Sequence, residues 1–340
     1  MIKIAAFYYF TPITNASSVA KAWQEACQSL AIRGTMLVAD EGVNATLAGT
    51  ANAIRQILAT IKETLAIKAE DKFIVKYADA PSQHFKRLKV KHKPEIITMG
   101  IPTIQLTPKP NSPTTALTPV GRYVAPQEWN ALINDPNVVV IDARNDYEVA
   151  IGSFKGAVNP NTQHFSQFPL WLQNWQKQNA PSKNTAKNNG EGKPKIAMFC
   201  TGGIRCEKAT AYAHSLGFDE VYHLEGGILR YLEEMPQHDS LWQGACFVFD
   251  ERVAVGHGLE ASDYQLCRAC RQAISAKDRT SPKYVAGISC PHCATTTSAA
   301  DKARFAERQK QIGLAETRGE AHIGATRTPS KKSVKRCAKK

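Results

Sequence analysis

The chain has 340 residues, enough for two or three domains, and its 43 Lys and Arg against 30 Asp and Glu residues give a formal net charge of +13. No apolar stretch approaches membrane-spanning length, and the first ten residues lack a signal-peptide cleavage pattern and predict a strand, so we expect a cytoplasmic protein without a membrane partner. Nine cysteines in such a compartment indicate catalysis and metal binding before disulfides, because thiols stay reduced there.

Residues 1–97 predict a ferredoxin-like α+β sandwich. An opening strand is followed by an amphipathic helix with Trp23 and Leu30 at helical spacing, and then by a hairpin that turns at 40–42. A second amphipathic helix over 51–66 and a strand over 73–77 complete the order β-α-β-β-α-β. This fold commonly hosts RNA binding, although the fold alone does not determine function.

A basic run over 86–93 has the alternation of a strand. Such a strand would align its basic side chains on one face, where they could follow a phosphate backbone of nucleic acid. The alternative is an edge strand whose lysines prevent aggregation. The residues concerned are Arg87, Lys89, Lys91 and Lys93.

Two irregular segments follow along the chain. Residues 98–123 contain five prolines and predict an extended linker between domains. Residues 176–194 are rich in Asn, Lys, Gly and Ser, and we expect a surface insertion within the next domain rather than a domain boundary.

Cys200 ends an apolar run over 196–199 and begins a loop that leads into a helical segment. A strand-to-helix turn directs backbone N–H groups inward, and the helix N-terminus adds positive potential, so a thiolate or a bound anion would be stabilised there. Four residues separate Cys200 from Arg205, one fewer than in a cysteine phosphatase loop, which favours sulfur or oxygen chemistry over phosphate hydrolysis. The alternative is a buried structural cysteine. The loop residues between them are Thr201, Gly202, Gly203 and Ile204.

Residues 124–236 resemble a rhodanese domain. The resemblance rests on the cysteine loop, on the strand that ends in Asp142 and Arg144, on the following Tyr147 and Glu148, and on the segment 225–228. It implies a doubly wound parallel α/β domain. It also implies that Asp142 and Arg144 hold the loop scaffold rather than react.

Residues 237–300 form a cysteine-rich region with the ligand spacing of a structural zinc site. Two Cys-x-x-Cys pairs are separated by nineteen residues, so each pair could approach one tetrahedral ion from a tight turn. The alternative is a cysteine cluster that staples a small subdomain without metal. The predicted ligands are Cys267, Cys270, Cys290 and Cys293, while His292 is expected to face solvent.

Residues 301–340 predict a basic helix followed by a disordered tail. This segment holds 12 Lys or Arg and 4 Asp or Glu, which is more than half of the excess positive charge of the chain. From Arg327 onward there are seven basic residues and no acidic one, with too little apolar content to fold alone. Together with the run over 86–93, this tail favours nucleic acid as the partner.

The combination of these parts resembles the bacterial rhodanese-family tRNA uridine(34) hydroxylases, up to about residue 300. Particular matches are 34–44, 86–95, the loop 200–206 and 250–255. The resemblance implies an oxidoreductase that hydroxylates the wobble uridine of the tRNA anticodon loop at ring C5, with molecular oxygen as co-substrate and Cys200 as the catalytic cysteine. The sequence shows no flavin or nicotinamide fingerprint and no recognisable iron triad.

Two mechanisms are compatible with this sequence. The Cys200 thiolate could add to C6 of the uracil ring and make C5 electron-rich, or it could carry an oxidised sulfur or a persulfide that delivers or primes the oxygen. In both, the loop amides and Arg205 would stabilise negative charge. Cys206 could resolve an oxidised Cys200, although a core position is the favoured expectation.

Two other functions use the same residues. A sulfurtransferase would carry sulfane sulfur as a Cys200 persulfide to a thiol or tRNA acceptor. A non-catalytic RNA-binding protein would use the basic segments alone.

Overall fold

The computed structural model describes residues 1–83, 85–108, 117–179 and 193–319. The chain divides into two compact units, Met1–Gln265 and Leu266–Lys340. The centres of the predicted linker and of the predicted insertion lie outside the described residues, as does the basic tail. Over the described part of the chain, no helix combines the length and the apolar character that a membrane span requires.

The first domain is a ferredoxin-like sandwich with one added strand, which confirms the predicted fold class. Its five-stranded sheet has the order β4-β1-β3-β2-β5, in which the added β5 runs parallel to β2. Both helices contact the sheet from the same side, α1 over β2 and β5 and α2 over β1 and β3. The elements are β1 (Ile2–Phe10), α1 (Ala16–Ser29), β2 (Arg33–Ala39), β3 (Gly42–Gly49), α2 (Ala51–Thr64), β4 (Val75–Ala80) and β5 (Leu88–His92).

The side chains of β1 alternate between the two faces of this sheet, one in the core and the other towards the second domain. Ala5 and Phe7 are buried in the core beneath the helices. Because successive side chains of a strand point to opposite faces, Ala6 and Tyr8 project from the other face. That helix-free face covers the second domain, and the cavity described below lies there.

The second domain is a doubly wound α/β domain, as predicted. Four strands run parallel in the order β6-β10-β9-β7. Residues alternate along β9 between two cores: Ile196 and Met198 pack towards α5 and α6, whereas Ala197 and Phe199 pack towards α3 and α7. The elements are β6 (Arg122–Val124), α3 (Pro126–Ile133), β7 (Val138–Asp142), α4 (Asp146–Val149), β8 (Gly152–Phe154), α5 (Phe168–Gln178), β9 (Lys195–Phe199), α6 (Ile204–Ser215), β10 (Val221–Leu224) and α7 (Gly227–Glu234).

The segment after α7 packs on the second domain as far as about residue 265, although the sequence places it with the cysteine-rich region. Trp242, Cys246 and Val255 are buried in the core that contains α3 and α7. The short strands here and beyond are β11 (Trp242–Gly244), β12 (Cys246–Phe247), β13 (Ala254–Val255), β14 (Gln265–Leu266) and β15 (Ala273–Ile274). β11 pairs with β8, and this pairing ties the segment to the sheet region.

A buried lysine joins the two domains of the first unit. Lys208 on α6 is 2% exposed, and its Nζ lies 2.8 Å from a carboxylate oxygen of Glu41 and 2.6 Å from one of Glu95. Glu41 occupies the turn between β2 and β3, and Glu95 follows β5. A cation and two carboxylates thus meet where the ferredoxin-like sheet approaches α6, and each would be costly to bury without the others.

The second unit, as far as the structure describes it, to residue 319, holds the four predicted metal ligands and two helices, α8 (Ala276–Arg279) and α9 (Ala299–Thr317). Ser298 caps α9 by accepting a hydrogen bond from the backbone N–H of Asp301. A helix near 301 was predicted from the sequence, and α9 begins two residues earlier.

Candidate active site

Cys200 lies between the end of β9 and the start of α6. The apolar strand 195–199 anchors the loop in the sheet, and α6 begins at Ile204. The backbone N–H of Gly203 donates a hydrogen bond to Cys200 Sγ at 3.1 Å. The structure thus brings the thiol to a strand-to-helix turn with an inward amide, as the sequence predicts.

The loop holds Cys200 as a thiolate. Burial raises the pKa of this thiol, but a hydrogen bond from the Cys206 thiol, the positive charge of Arg205 and backbone N–H groups together lower it to about 5. Burial and the neighbouring Cys200 raise the pKa of Cys206, which therefore stays protonated as a donor. Cys206 is buried, as the favoured expectation has it, and its thiol faces Cys200.

Arg205 is held by a carboxylate rather than left free. Its Nη1 and Nη2 donate to the two oxygens of Glu148 at 2.6 and 2.8 Å, and Nη2 also donates to Thr201 Oγ1 at 3.1 Å. Glu148 is fully buried on α4, and Arg205 lowers its pKa despite burial. The guanidinium therefore acts on Cys200 through its charge, while a bidentate pair fixes its position.

Asp142 and Arg144 form a separate scaffold pair. Arg144 donates from Nε and Nη2 to the two oxygens of Asp142 at 2.8 and 2.6 Å, and both side chains are fully buried. Arg144 Nη2 also donates to the carbonyl of Gly152. These contacts tie the end of β7 to β8, consistent with the structural role that the rhodanese resemblance implies.

The segment 225–228 supports the cysteine loop from below. The N–H groups of Ile228 and Leu229 donate to the carbonyls of Cys200 and Thr201 at 3.0 and 3.1 Å. Gly227 has φ +67°, and a Cβ there would lie 2.5 Å from the carbonyl oxygen of Cys200. Only glycine accommodates both this backbone conformation and this approach.

A cavity of about 900 Å³ lies between the cysteine loop and the helix-free face of the ferredoxin-like sheet. Cys200 and Arg205 line it on one side, and Tyr8 and Lys76 line it on the other. Its volume falls in the range of about 300–1,000 Å³ that is typical of pockets for small ligands. The site is therefore completed by both domains.

Lys76 was not predicted as a site residue. It lies on β4 and its Nζ donates to the carbonyls of Gly202, at 3.0 Å, and Gly226. Burial lowers its pKa to about 8, against the favourable effect of the Cys200 charge. The alternation of β4 indicates that Lys76 shares a face with Ala78, but the sequence gives no sign that a second domain covers that face.

A buried carboxylate between two tyrosines was also missed. Glu207 accepts hydrogen bonds from the hydroxyls of Tyr8, at 2.9 Å, and Tyr123, at 2.8 Å. Burial raises the pKa of Glu207, the two hydroxyl groups oppose the rise, and the charge of Cys200 adds to it. Glu207 directly follows Cys206, so its position next to the predicted loop was the available signal.

The four predicted nucleic-acid-binding residues lie on and beside β5, at the edge of the sheet, and all are exposed. Leu88 and Val90 pack against the core beneath the helices, so the basic side chains that alternate with them along the chain project from the helix-free face. In register, Lys91 pairs with Leu37, which lines the cavity. The structure brings the basic residues onto the sheet face that carries the cavity. These residues are Arg87, Lys89, Lys91 and Lys93.

The four predicted metal ligands meet in the second unit. The sulfur atoms of Cys267, Cys270, Cys290 and Cys293 all lie within 4.8 Å of one another. Two of the separations are 3.7 and 3.8 Å, close to the ~3.8 Å that a tetrahedron with Zn–S bonds of about 2.3 Å requires. This donor set could hold a metal ion. His292 is partly exposed beside Asp278 and takes no part in the sulfur cluster.

The chain matches two described domain families and has relatives over almost its whole length. Residues 2–96 match the UPF0176 acylphosphatase like domain, and residues 125–234 match the Rhodanese-like domain. The tRNA uridine(34) hydroxylase of Agrobacterium fabrum is 50% identical over 321 residues, which cover 94% of this chain and 94% of the relative. That of Brucella ovis is 50% identical over 323 residues, covering 95% of this chain and 98% of the relative.

Among solved structures, a rhodanese-related protein from Thermoplasma volcanium is 22% identical and covers 33% of this chain and 92% of that chain, with a TM-score of 0.25. The relatives from Agrobacterium fabrum and Brucella ovis are more similar in sequence, at 50% identity, and they match 94–95% of this chain. The chain belongs to the tRNA uridine(34) hydroxylase family.

Proposed function

We propose that this protein hydroxylates uridine 34 of tRNA at ring carbon C5, with Cys200 as its nucleophile. The observation that carries the proposal is a thiol with a pKa of about 5 that faces a cavity closed by a second domain. A thiolate is the reactive form of cysteine, and here it predominates at neutral pH. Membership of the family supplies the substrate and the reaction class.

The reaction can be written with the bonds and electrons balanced. The thiolate adds to C6 of the uracil ring, and the C5–C6 π electrons move to C5 and the C4 carbonyl. This carbanion equivalent adds to O₂ and takes up a proton, which gives a C5 hydroperoxide. A two-electron reductant then converts the hydroperoxide to the C5 hydroxyl and water. Finally C5 loses its hydrogen as a proton, the C5–C6 double bond forms again and Cys200 leaves as a thiolate.

The surroundings of Cys200 suit the charged steps of this sequence. The fixed guanidinium of Arg205 and the ammonium of Lys76 both lower the energy of negative charge near the sulfur. Both are positioned before substrate arrives, Arg205 by Glu148 and Lys76 by two carbonyl groups. Charge that develops on the uracil ring is thus met by groups that need no rearrangement.

The cationic strand β5 is the proposed contact for tRNA. Arg87, Lys89, Lys91 and Lys93 lie on the same sheet face as the cavity, and the backbone of an anticodon loop could cross them while its wobble base enters. Bases of a single-stranded loop can be splayed into a pocket without breaking a pair. Because its proposed substrate is a tRNA, the cytoplasm is the proposed location of the protein.

We propose zinc as the ion of the four-cysteine cluster. Four thiolates in a tetrahedron are typical of structural zinc sites, and such ions contribute directly to folding. The ion would hold the second unit together.

Nucleoside mass spectrometry tests the function. Purified protein with unmodified tRNA, air and a thiol reductant is expected to produce 5-hydroxyuridine at position 34, and Cys200→Ser is expected to produce none. Cys27→Ala removes a buried cysteine of the first domain and serves as the matched control. A thiolated nucleoside instead of 5-hydroxyuridine would establish sulfur transfer, and an unmodified tRNA that still binds would establish a binding protein.

A further inference from the structure

Two buried carboxylates near Cys200 have surroundings that differ in kind, and one of them, Glu207, lines the cavity. Glu148 is fixed by the bidentate guanidinium of Arg205, and its pKa is lowered. Glu207 is fixed by two neutral hydroxyl groups, and its pKa is raised. A carboxylate held by a cation is a weak proton acceptor, whereas one held by neutral donors in a buried place is a stronger one.

The Tyr8 hydroxyl lies close both to the Glu207 carboxylate and to the loop that holds Cys200 Sγ. A Cβ built at Gly203 would lie 2.8 Å from the Tyr8 hydroxyl oxygen, and the N–H of the same glycine donates to Cys200 Sγ at 3.1 Å. The Tyr8 hydroxyl donates to Glu207. Glu207 is 6% exposed and is one of the residues that line the cavity, which Cys200 also lines.

The chemistry of the proposed function requires a proton acceptor at this place. The hydrogen on C5 leaves as a proton when the hydroxylated base is released from Cys200. Lys76 is unsuited to this step because its amine is an ammonium engaged with two carbonyls at neutral pH. Glu225, which also lines the cavity, is engaged in an ion pair with Arg230 at 2.7 Å.

We propose that Glu207 is the catalytic base that removes the C5 proton, and that Tyr8 and Tyr123 are positioning residues that aim its carboxylate. The proposal rests on the proposed function. In the step, the carboxylate oxygen forms a bond to the C5 proton, and the C–H electron pair becomes the C5–C6 π bond. The C6–S bond breaks with its electrons on Cys200. The proton passes from Glu207 to water after release, and no oxidant or reductant is consumed.

The test follows the C5 hydrogen itself. tRNA carrying [5-³H]uridine at position 34 releases tritium to water only when the C5–H bond breaks. Glu207→Gln keeps the size and the hydrogen-bonding capacity of the side chain, and we expect it to slow tritium release by at least about 100-fold, the lower end of what a general base contributes. A Cys200–tRNA adduct that survives denaturing electrophoresis should accumulate, while tRNA affinity stays within about threefold of wild type.

Two further variants keep the test decisive. Glu207→Asp retains a carboxylate but moves it back by one methylene. We expect it to release tritium more slowly than wild type and faster than Glu207→Gln. If the glutamine variant fails to fold, the comparison of Glu207→Asp with wild type still tests the proposal. Glu234→Gln is the matched control, since it removes an ion-paired carboxylate of the same domain at a residue that is not among those lining the cavity. We expect it to release tritium within about threefold of wild type, because an ion-paired carboxylate is a poor base.

Each outcome decides the assignment. Tritium release by Glu207→Gln at nearly the wild-type rate would overturn it, and so would a slow release without adduct, which indicates a structural role. If wild type itself makes no 5-hydroxyuridine, the proposed function fails rather than the role of Glu207.

Discussion

Replacing Gly227 with alanine tests whether the close approach of this residue to the backbone of the cysteine loop excludes a side chain. The new Cβ would lie 2.5 Å from the carbonyl oxygen of Cys200, 2.8 Å from the nitrogen of Gly203 and 2.8 Å from the carbonyl oxygen of Thr201. All three are backbone atoms, so none can rotate away as a side chain could. Gly156→Ala is the matched control, because Gly156 also has a positive φ, +79°, but has open space around its Cβ position.

Both variants lose stability from the backbone conformation, and only Gly227→Ala also loses stability from close contacts. A left-handed backbone conformation costs an L-residue about 1–2 kcal/mol, and this applies to both. Overpacking adds about 1–3 kcal/mol at Gly227 alone, which gives a total of about 2–5 kcal/mol there. At ~2–4 °C per kcal/mol for a domain of this size, we expect Tm to fall by roughly 4–20 °C in Gly227→Ala and by less in Gly156→Ala.

Two measurements check this expectation. Thermal unfolding followed by circular dichroism gives the two values of Tm. Alkylation of Cys200 by iodoacetamide at neutral pH reports the loop, and we expect the rate to fall about tenfold in Gly227→Ala, since the N–H of Gly203 is pushed from the sulfur. Equal Tm values and equal alkylation rates in the two variants would refute the argument from close contact.

Three other predictions concern the thiolate, the basic strand and the cysteine cluster. Because the pKa of Cys200 is lowered to about 5, its thiolate persists above that pH and is lost below it, so alkylation should be nearly flat between roughly pH 6 and pH 9. A rate that rises through pH 8 contradicts this. Replacing Lys91 and Lys93 with alanine should weaken tRNA binding and reduce the slope of log K against log salt by about 0.7–0.9 per lost phosphate contact, whereas exposed Lys155→Ala should not. An unchanged slope would remove β5 from the interface. Elemental analysis should find about one zinc per chain, and Cys267→Ser should lose it and destabilise the second unit; metal-free protein of normal stability would show that the cluster needs no ion.

The sequence predicts those parts of the site that lie close together in the chain. Cys200 and its loop follow from an apolar strand, two glycines and a helix start within a dozen residues. The grouping of the four cysteines in the second unit follows from their spacing in the sequence. The pairing of Arg205 with Glu148 does not, because those residues are 57 positions apart and each has other plausible partners. The expectation that Arg205 stabilises charge stays a prediction, to which the structure adds the carboxylate that fixes it.

The contribution of the first domain to the cavity could not be predicted for a different reason. Periodicity identifies which residues of a strand share a face, but it does not identify what covers that face. Tyr8 and Glu207 are separated by 199 positions and meet only because the helix-free side of one sheet docks on the loop end of another. A sheet face that carries Tyr8 and Lys76 would otherwise be an ordinary solvated surface.

The Lys208 contacts have a consequence for how such proteins can diversify. Helix α6 begins beside the nucleophile and, four residues later, carries the ammonium that meets carboxylates from the neighbouring domain. Exchange of the first domain for an unrelated one by recombination would leave this cation buried without counter-charges, in the same helix that orients the thiol. Exchange of the second domain would remove the cation from Glu41 and Glu95. New substrates in this lineage are therefore more accessible through changes along the cavity rim than through shuffling of whole modules.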